Sequence, residues 1–367
     1  MSVPNGYRRV DELKVAFPHM GRVCIPLKTL FDSLGVSVII PPRNNDTIKN
    51  TGYKYSPEYS CLPFKMILGN ILYSLENGAD TVIMLGGSGP CRFGYFAYML
   101  NLIARDLGYR FKFICLEPSS LLKNIVEFKR LLRCGYSDIY TALVLGWEKL
   151  KTVDSLEALY FKTLPYISDK DSSKQEFEEV VAKLEQSSNI LSINEIYRDY
   201  SDHLAVQRDI YKQFPRIGIV GDIYTLNEPY SNHNIEYLLG MKGIETTRSV
   251  YTSTWVETNA FFWKRKRFNK KMKDLSMGYL NDNIGGFAME TVYHTLDFIN
   301  RDFDGILHMV PITCMPEIVS RQVLQRISVE KKIPIMSITV DEHNDCTGFE
   351  TRVEAFAEML YMRHKKV

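Results

Sequence analysis

Nowhere does this chain hold the run of roughly 18 apolar residues that a membrane-crossing helix needs. Its opening, MSVPNGYRRVDELK, is too polar to form the core of a secretory signal. Both absences predict a cytoplasmic protein with no membrane partner. Charge of one sign is missing as well: 45 Lys and Arg stand against 43 Asp and Glu, a formal +2, which gives no global attraction to nucleic acid. There is no phosphate-binding loop, because GGSGPCRFG at residues 86–94 follows neither GxGxxG nor GxxxxGK with Ser or Thr after it. Any ATP-driven step is therefore expected of a separate protein. The seven cysteines (Cys24, Cys61, Cys91, Cys115, Cys134, Cys314, Cys346) lack the close spacing of a zinc ribbon or a ferredoxin. In an intracellular chain of 367 residues they argue against a disulfide scaffold and leave metal binding, catalysis or plain burial.

What is present is an ordinary soluble composition, 45% hydrophobic and 24% charged, in a chain long enough for two cores. Everything can be placed around TVIMLGGSGPCRFGYFAYM, residues 81–99. Thr81 to Leu85 reads as a short buried strand, the glycines as a turn that delivers Cys91 to the strand's carboxyl end, and Phe93 onward as a helix. In an open α/β sheet that edge is where ligands bind. The plan recurs at residues 304–317, where an apolar strand is followed by Cys314 and a helix opening with Met315, Pro316 and Glu317. A third cysteine, Cys61 in YSPEYSCLPFK, immediately precedes a helix that carries Pro63 in its first turn.

In chain order, strands are predicted at 13–17 and 36–42 around a helix at 25–35. A polar loop over 43–60 follows, then a helix at 62–78. Beyond the central strand come helix 93–108, strand 111–118 and helix 120–135. Strand signals stop between about 137 and 213, where charged helical stretches such as QEFEEVVAKLEQ read as a connector. A fresh α/β register starts at PRIGIVGD (215–222) and runs through strands near 245–251, 305–310 and 333–341 to a closing helix at 350–363. The expected architecture is α/β: two doubly wound, parallel-sheet lobes of Rossmann or flavodoxin type, at 1–136 and 214–367, joined by a helical connector at 137–213.

Position is what raises Cys61, Cys91 and Cys314 above ordinary buried thiols. Each sits at a junction into a helix, where N–H groups at the helix start stabilise anionic sulfur. Burial remains the bland alternative, since free cysteine is among the most buried residue types. The segments YSPEYSCLPFK, ENGADTVIMLGGSGPCRFGYF, VPITCMPEI and DEHNDCTGFETRVEAF, in that order, resemble iron–sulfur proteins of the 2-hydroxyacyl-CoA dehydratase and benzoyl-CoA reductase superfamily, and in particular its activase-related branch. The likeness runs from about Leu13 to Leu360 and is weakest across 140–280. It implies an oxygen-sensitive cluster, 4Fe–4S or larger, held between the lobes by Cys61, Cys91 and Cys314. It further implies low-potential electron transfer or reductive chemistry, with an acyl-CoA thioester as candidate substrate and an ATP-dependent activator or another low-potential donor as partner. A dehydratase-like lyase or a reductase is the candidate enzyme, and a homo- or heterodimer the candidate assembly. A non-catalytic cluster-carrying partner of such an activator and a cluster-free α/β binding protein are the rival readings.

One departure concerns ligands. Where the superfamily reads DEHTGEAG or similar, this chain reads DEHNDCTG, which adds Cys346; Cys24 likewise follows the first strand. Both are candidates to approach the cluster, with a surface or supporting thiol as the default reading of each. Cys115, within a strand, reads as core, and Cys134 as a spectator. His343 is a candidate proton donor or a loop cap. FFWKRKRFNKKMK, at 261–273, gathers seven basic residues with four aromatics. A solvated helix face is its default reading, with an acidic partner or coenzyme A phosphates as the functional one.

Overall fold

A computed structural model describes residues 13–86, 93–116, 121–132, 134–207, 213–341 and 346–364. Strands β1 (Lys14–Ala16), β2 (Ser37–Ile39), β3 (Thr81–Leu85) and β4 (Lys112–Leu116) form one sheet in the order β2-β1-β3-β4. Strands β5 (Arg216–Gly221), β6 (Glu245–Arg248), β7 (Gly305–Pro311) and β8 (Ile335–Val340) form a second in the order β6-β5-β7-β8. Every pairing is parallel, with Val15 opposite Thr81 in the first sheet and Gly218 opposite Ile306 in the second. The chain is thus an α/β protein of two lobes that share one topology. In each lobe the path reverses direction across the sheet beside the first strand, and the crevice at that reversal opens at the carboxyl ends of the strands.

Period-two alternation assigns the faces of the first sheet. Val15, Ile83 and Ile114 point to one side and pack with Phe31 of helix α1 (Cys24–Asp32) and Leu132 of α5 (Leu121–Leu132). Ala16, Val82 and Met84 point to the other side, against α3 (Leu62–Glu76) and α4 (Phe93–Asp106). This second core does not end at the lobe boundary. It continues through Cys61, Leu62, Tyr224 and Leu226 into Ile219, Met309 and Val340 of the other sheet. The opposite face of the second sheet is covered by α13 (Ala288–Asn300) and α14 (Met315–Lys331), through Val292, Leu296 and Leu324. The closing helix is α15 (Cys346–His364).

The connector is three helices, α6 (Tyr136–Thr163), α7 (Lys170–Gln186) and α8 (Ile190–Gln207), around a core of their own in which Tyr160 stacks on Phe177 at 4.3 Å. At 28 residues α6 is about 42 Å long, and it packs on both α1 and β6.

The expected polar loop over 43–60 is a correction. Its middle is helix α2 (Asp46–Tyr55), capped by the Asn45 side chain, which accepts from the Ile48 N–H at 3.1 Å. Only Ile48 and Gly52 of this helix are buried, so it carries almost no apolar period. Backbone contact holds it instead: a Cβ on Gly52 would lie 1.8 Å from the Lys65 carbonyl oxygen, and one on Gly69 would lie 2.1 Å from that of Ile48. Gly52→Ala is therefore expected to force α2 off α3 and to destabilise the first lobe by about 2–4 kcal/mol, more than the usual overpacking penalty of about 1–3 kcal/mol because backbone cannot rotate away. A thermal unfolding midpoint equal to that of the parent would refute this.

Candidate functional site at the facing sheet edges

The two lobes bring two of the expected cysteines together. Cys61 is the N-cap of α3 and Cys314 the N-cap of α14; neither side chain caps its own helix, and each is followed at the second helical position by proline. Both thiols therefore stand at the positive ends of their helices, where helix-start N–H groups favour anionic sulfur. Thr313 enters the Cys314 turn at φ +60°, a left-handed conformation that a β-branched residue holds only under constraint. Cys61 is buried and Cys314 half-buried. They are near enough that Cys61 contributes to the high pKa of Cys314, which burial raises first and to which Asp222 and Glu317 add.

Two carboxylates that the sequence reading did not single out complete this edge. Asp222 follows β5 directly and caps α9 (Ile223–Asn227): its Oδ1 accepts from the N–H groups of Tyr224 at 3.0 Å and Thr225 at 3.2 Å. Its Oδ2 is buried with no hydrogen-bond partner among the described residues. Burial raises the Asp222 acid to about 6, with the charge of Glu317 adding to the rise. Glu317, in the first turn of α14, is fully buried and accepts from His308 Nε2 at 2.8 Å, from Thr291 Oγ1 and from Ser320 Oγ. Glu290, at the start of α13, is lifted by burial and by Glu317 to about 8. The Cys314 thiol and the Asp222 and Glu290 acids therefore resist ionising unless a cation compensates them. That is the donor chemistry a metal cluster fits.

Cys91 and His343 lie outside the described residues. Cys346 opens α15, and its side chain is likewise outside them. Among the described residues no three metal-ligating side chains converge. Cys24 is placed elsewhere, against the connector helices and the α1 face of the first sheet. Its thiol donates to the Gly21 carbonyl at 3.5 Å. Cys115 is half-buried in β4, and Cys134 half-buried beyond the end of α5.

A sequence signal for these placements exists in the triplets Cys24-Ile25-Pro26, Cys61-Leu62-Pro63 and Cys314-Met315-Pro316. All three open helices, because proline is tolerated in a first turn whose N–H groups have no partner. The basic stretch at 261–273 falls largely on helix α12 (Phe262–Ser276), which packs inward through Met272 and through Phe268 against Tyr293. Its seven cations are exposed, and Trp263 beside them is 65% exposed.

A family model described as a CoA enzyme activase uncharacterised domain matches residues 20–84. The match spans Met20 to Met84, and so takes in α1 with Cys24, the α2–α3 pair and Cys61. Over that stretch the chain is similar to a CoA enzyme activase domain. No curated protein matches the chain. Among the described residues no helix is long and apolar enough to cross a membrane.

Proposed function

We propose that the chain holds an iron–sulfur cluster, 4Fe–4S or larger, between its lobes through Cys61, Cys91 and Cys314. Its work is low-potential electron transfer or reductive chemistry, with an acyl-CoA thioester as the substrate class and an ATP-dependent activator as the electron source. The observation that carries this reading is the meeting of Cys61 and Cys314, 253 positions apart by subtraction of their numbers, as uncapped helix-start thiols from opposite lobes. The activase-like match over 20–84 supports the connection to CoA chemistry and to an activator.

When bound, such a cluster supplies an electron at low potential and an iron able to polarise a carbonyl. The chain's own contribution is positional and protonic. The starts of α3 and α14 set the positive ends of two helices beside the thiols, and the shared apolar core around Leu62 and Leu226 keeps water from the rear of the site. Asp222, with an acid near pH 6 and a buried unpaired Oδ2, is placed to hold a proton beside Cys314. An iron position without a cysteine ligand is favoured over a closed shell, because Cys24 packs against the connector and the α1 face of the first sheet and the motif supplies three thiols.

Protein purified without oxygen from iron-replete cells is expected to be brown, to contain iron and acid-labile sulfide, and to bleach in air. A colourless preparation that also resists anaerobic reconstitution would sink the proposal.

A further inference from the structure

The basic helix α12 takes no part in the site at the sheet edges. Residues 261–267 are exposed at every position, so the start of the helix stands clear of the body on all sides. Inward packing begins at Phe268 and continues through Met272 and Leu275, at helical spacings of four and three. The opposite stripe is Trp263, Lys266, Arg267 and Lys270, at i, i+3, i+4 and i+7. Phe262 beside it is 77% exposed. Phe261 and Trp263 hold each other with ring centroids 5.1 Å apart, and Lys264, ion-paired to Glu257, lies over the Phe261 ring at 5.2 Å. Among the described residues Lys266, Arg267, Lys270, Lys271 and Lys273 make no ion pair. Like charges four apart, Lys266 with Lys270 and Arg267 with Lys271, destabilise a helix, and Lys264 in the first turn opposes its dipole. An anionic partner relieves both.

We infer that this outer stripe docks the acidic face of a compact electron-transfer protein, with Trp263 and Phe262 as its apolar anchors. Charge complementarity selects the partner. Residues 261–273 hold seven of the chain's 45 Lys and Arg and none of its 43 Asp and Glu. The other 38 cations stand against those 43 acids, so the rest of the chain is net −5. An extended polyanion, whether a membrane surface or a nucleic acid, meets repulsion beyond the patch; a small acidic face needs only the patch. The same separation of charge turns α12 toward such a partner at encounter. An exposed Trp beside an Arg is the side-chain pair on which protein interfaces most often anchor. Docking here also leaves the partner one helix away from the Cys314 edge. Phe268 packs on Tyr293 of α13 at 5.5 Å, and Thr291 of α13 donates to Glu317 at 3.0 Å, in the helix turn that Cys314 opens. That the partner carries electrons rests on the cluster reading; that it is acidic and docks on α12 does not.

The test is isothermal titration of the full chain, both as purified without oxygen and after iron removal, with a plant-type ferredoxin and with a flavodoxin, two acidic electron carriers. Phosphatidylcholine vesicles containing phosphatidylserine and a single-stranded oligothymidylate are the competing anions. At least one carrier should bind in low salt and weaken at least about tenfold between about 20 and 200 mM NaCl, as screening of exposed charges requires. Lys266→Glu combined with Lys270→Glu should weaken binding at least about tenfold, and Trp263→Ala about fivefold with the charges intact. Three results each overturn the inference: neither carrier binds in low salt, the charge reversal leaves binding unchanged, or the vesicles or the oligonucleotide bind more tightly than both carriers. Colourless protein that still binds a carrier sinks the cluster reading alone, and iron-loaded protein that binds neither sinks the docking alone. Should the double variant not fold, the salt dependence of the parent decides.

Discussion

Cys314→Ala and Cys61→Ala are each expected to abolish bound iron, while Cys24→Ala and Cys346→Ala keep it with an unchanged visible spectrum. The size of the effect follows from where the two thiols sit. Cys314 is held far above the ordinary thiol range by burial and by Asp222, Glu317 and Cys61, so its thiolate forms only with a compensating cation. Removing one sulfur from a set of three leaves two ligands and a cleft lined with buried acids. No nearby group of the described residues is a soft replacement, since Cys115 and Cys134 belong to other parts of the first lobe. Cys91→Ala belongs to the same severe class on the motif alone. Iron and sulfide analysis with visible absorption, all under anaerobic conditions, separates the classes. If Cys24→Ala or Cys346→Ala strips or converts the cluster as severely as Cys314→Ala, the open iron position fails and a closed-shell electron carrier takes its place.

Arg248→Met should be the most destabilising single change outside that site. Arg248 is 5% exposed and bonds Glu236 Oε2 at 2.7 Å, Glu157 Oε2 at 3.0 Å and Asn227 Oδ1 at 2.7 Å. Glu157 sits on α6 and also meets Arg22 at 3.1 Å, so one buried network ties the connector to both lobes. Glu236 is already raised to about 7, by burial first and then by Glu157, even with the guanidinium present, and its Oε1 has no hydrogen-bond partner among the described residues. Methionine would leave two buried carboxylates facing each other, at a cost of about 3–5 kcal/mol for breaking a buried pair. The sign of the pH dependence checks this. An acid whose folded pKa exceeds its unfolded value binds more protons when folded, so stability falls as pH rises between the two values. Without Arg248 the Glu236 value rises further, and the deficit against the parent should be larger near pH 8 than near pH 5. Urea unfolding at the two pH values measures it. An equal deficit at both would mean lost packing rather than lost charge.

Much of this molecule is legible from local pattern. Strands 81–85 and 305–311 stand out because both faces of a parallel sheet are buried and the run is almost wholly apolar. The connector is legible from the loss of that signal between 137 and 213. Cys61 and Cys314 could be singled out because a cysteine before a proline-bearing first turn marks a helix start at a strand's carboxyl edge. Helix α2 was not legible. It is held by the Gly52 and Gly69 backbones rather than by an apolar stripe, and a polar decapeptide with two buried residues looks like a loop.

By itself the sequence determined the class of fold, the duplicated β-α grammar, the helical insertion and which thiols stand at helix starts. These are consequences of periodicity and capping, which act over fewer than about ten residues. Only the tertiary structure decided that Cys61 meets Cys314 beside Asp222 and Glu317, that Glu228 reaches across to His19, and that Arg248 is neutralised by carboxylates from two elements. Those partners lie up to 253 positions apart by subtraction of Cys61 from Cys314. Contacts at that separation carry no period. They are selected when two apolar faces pack and every polar group trapped between them must find a partner.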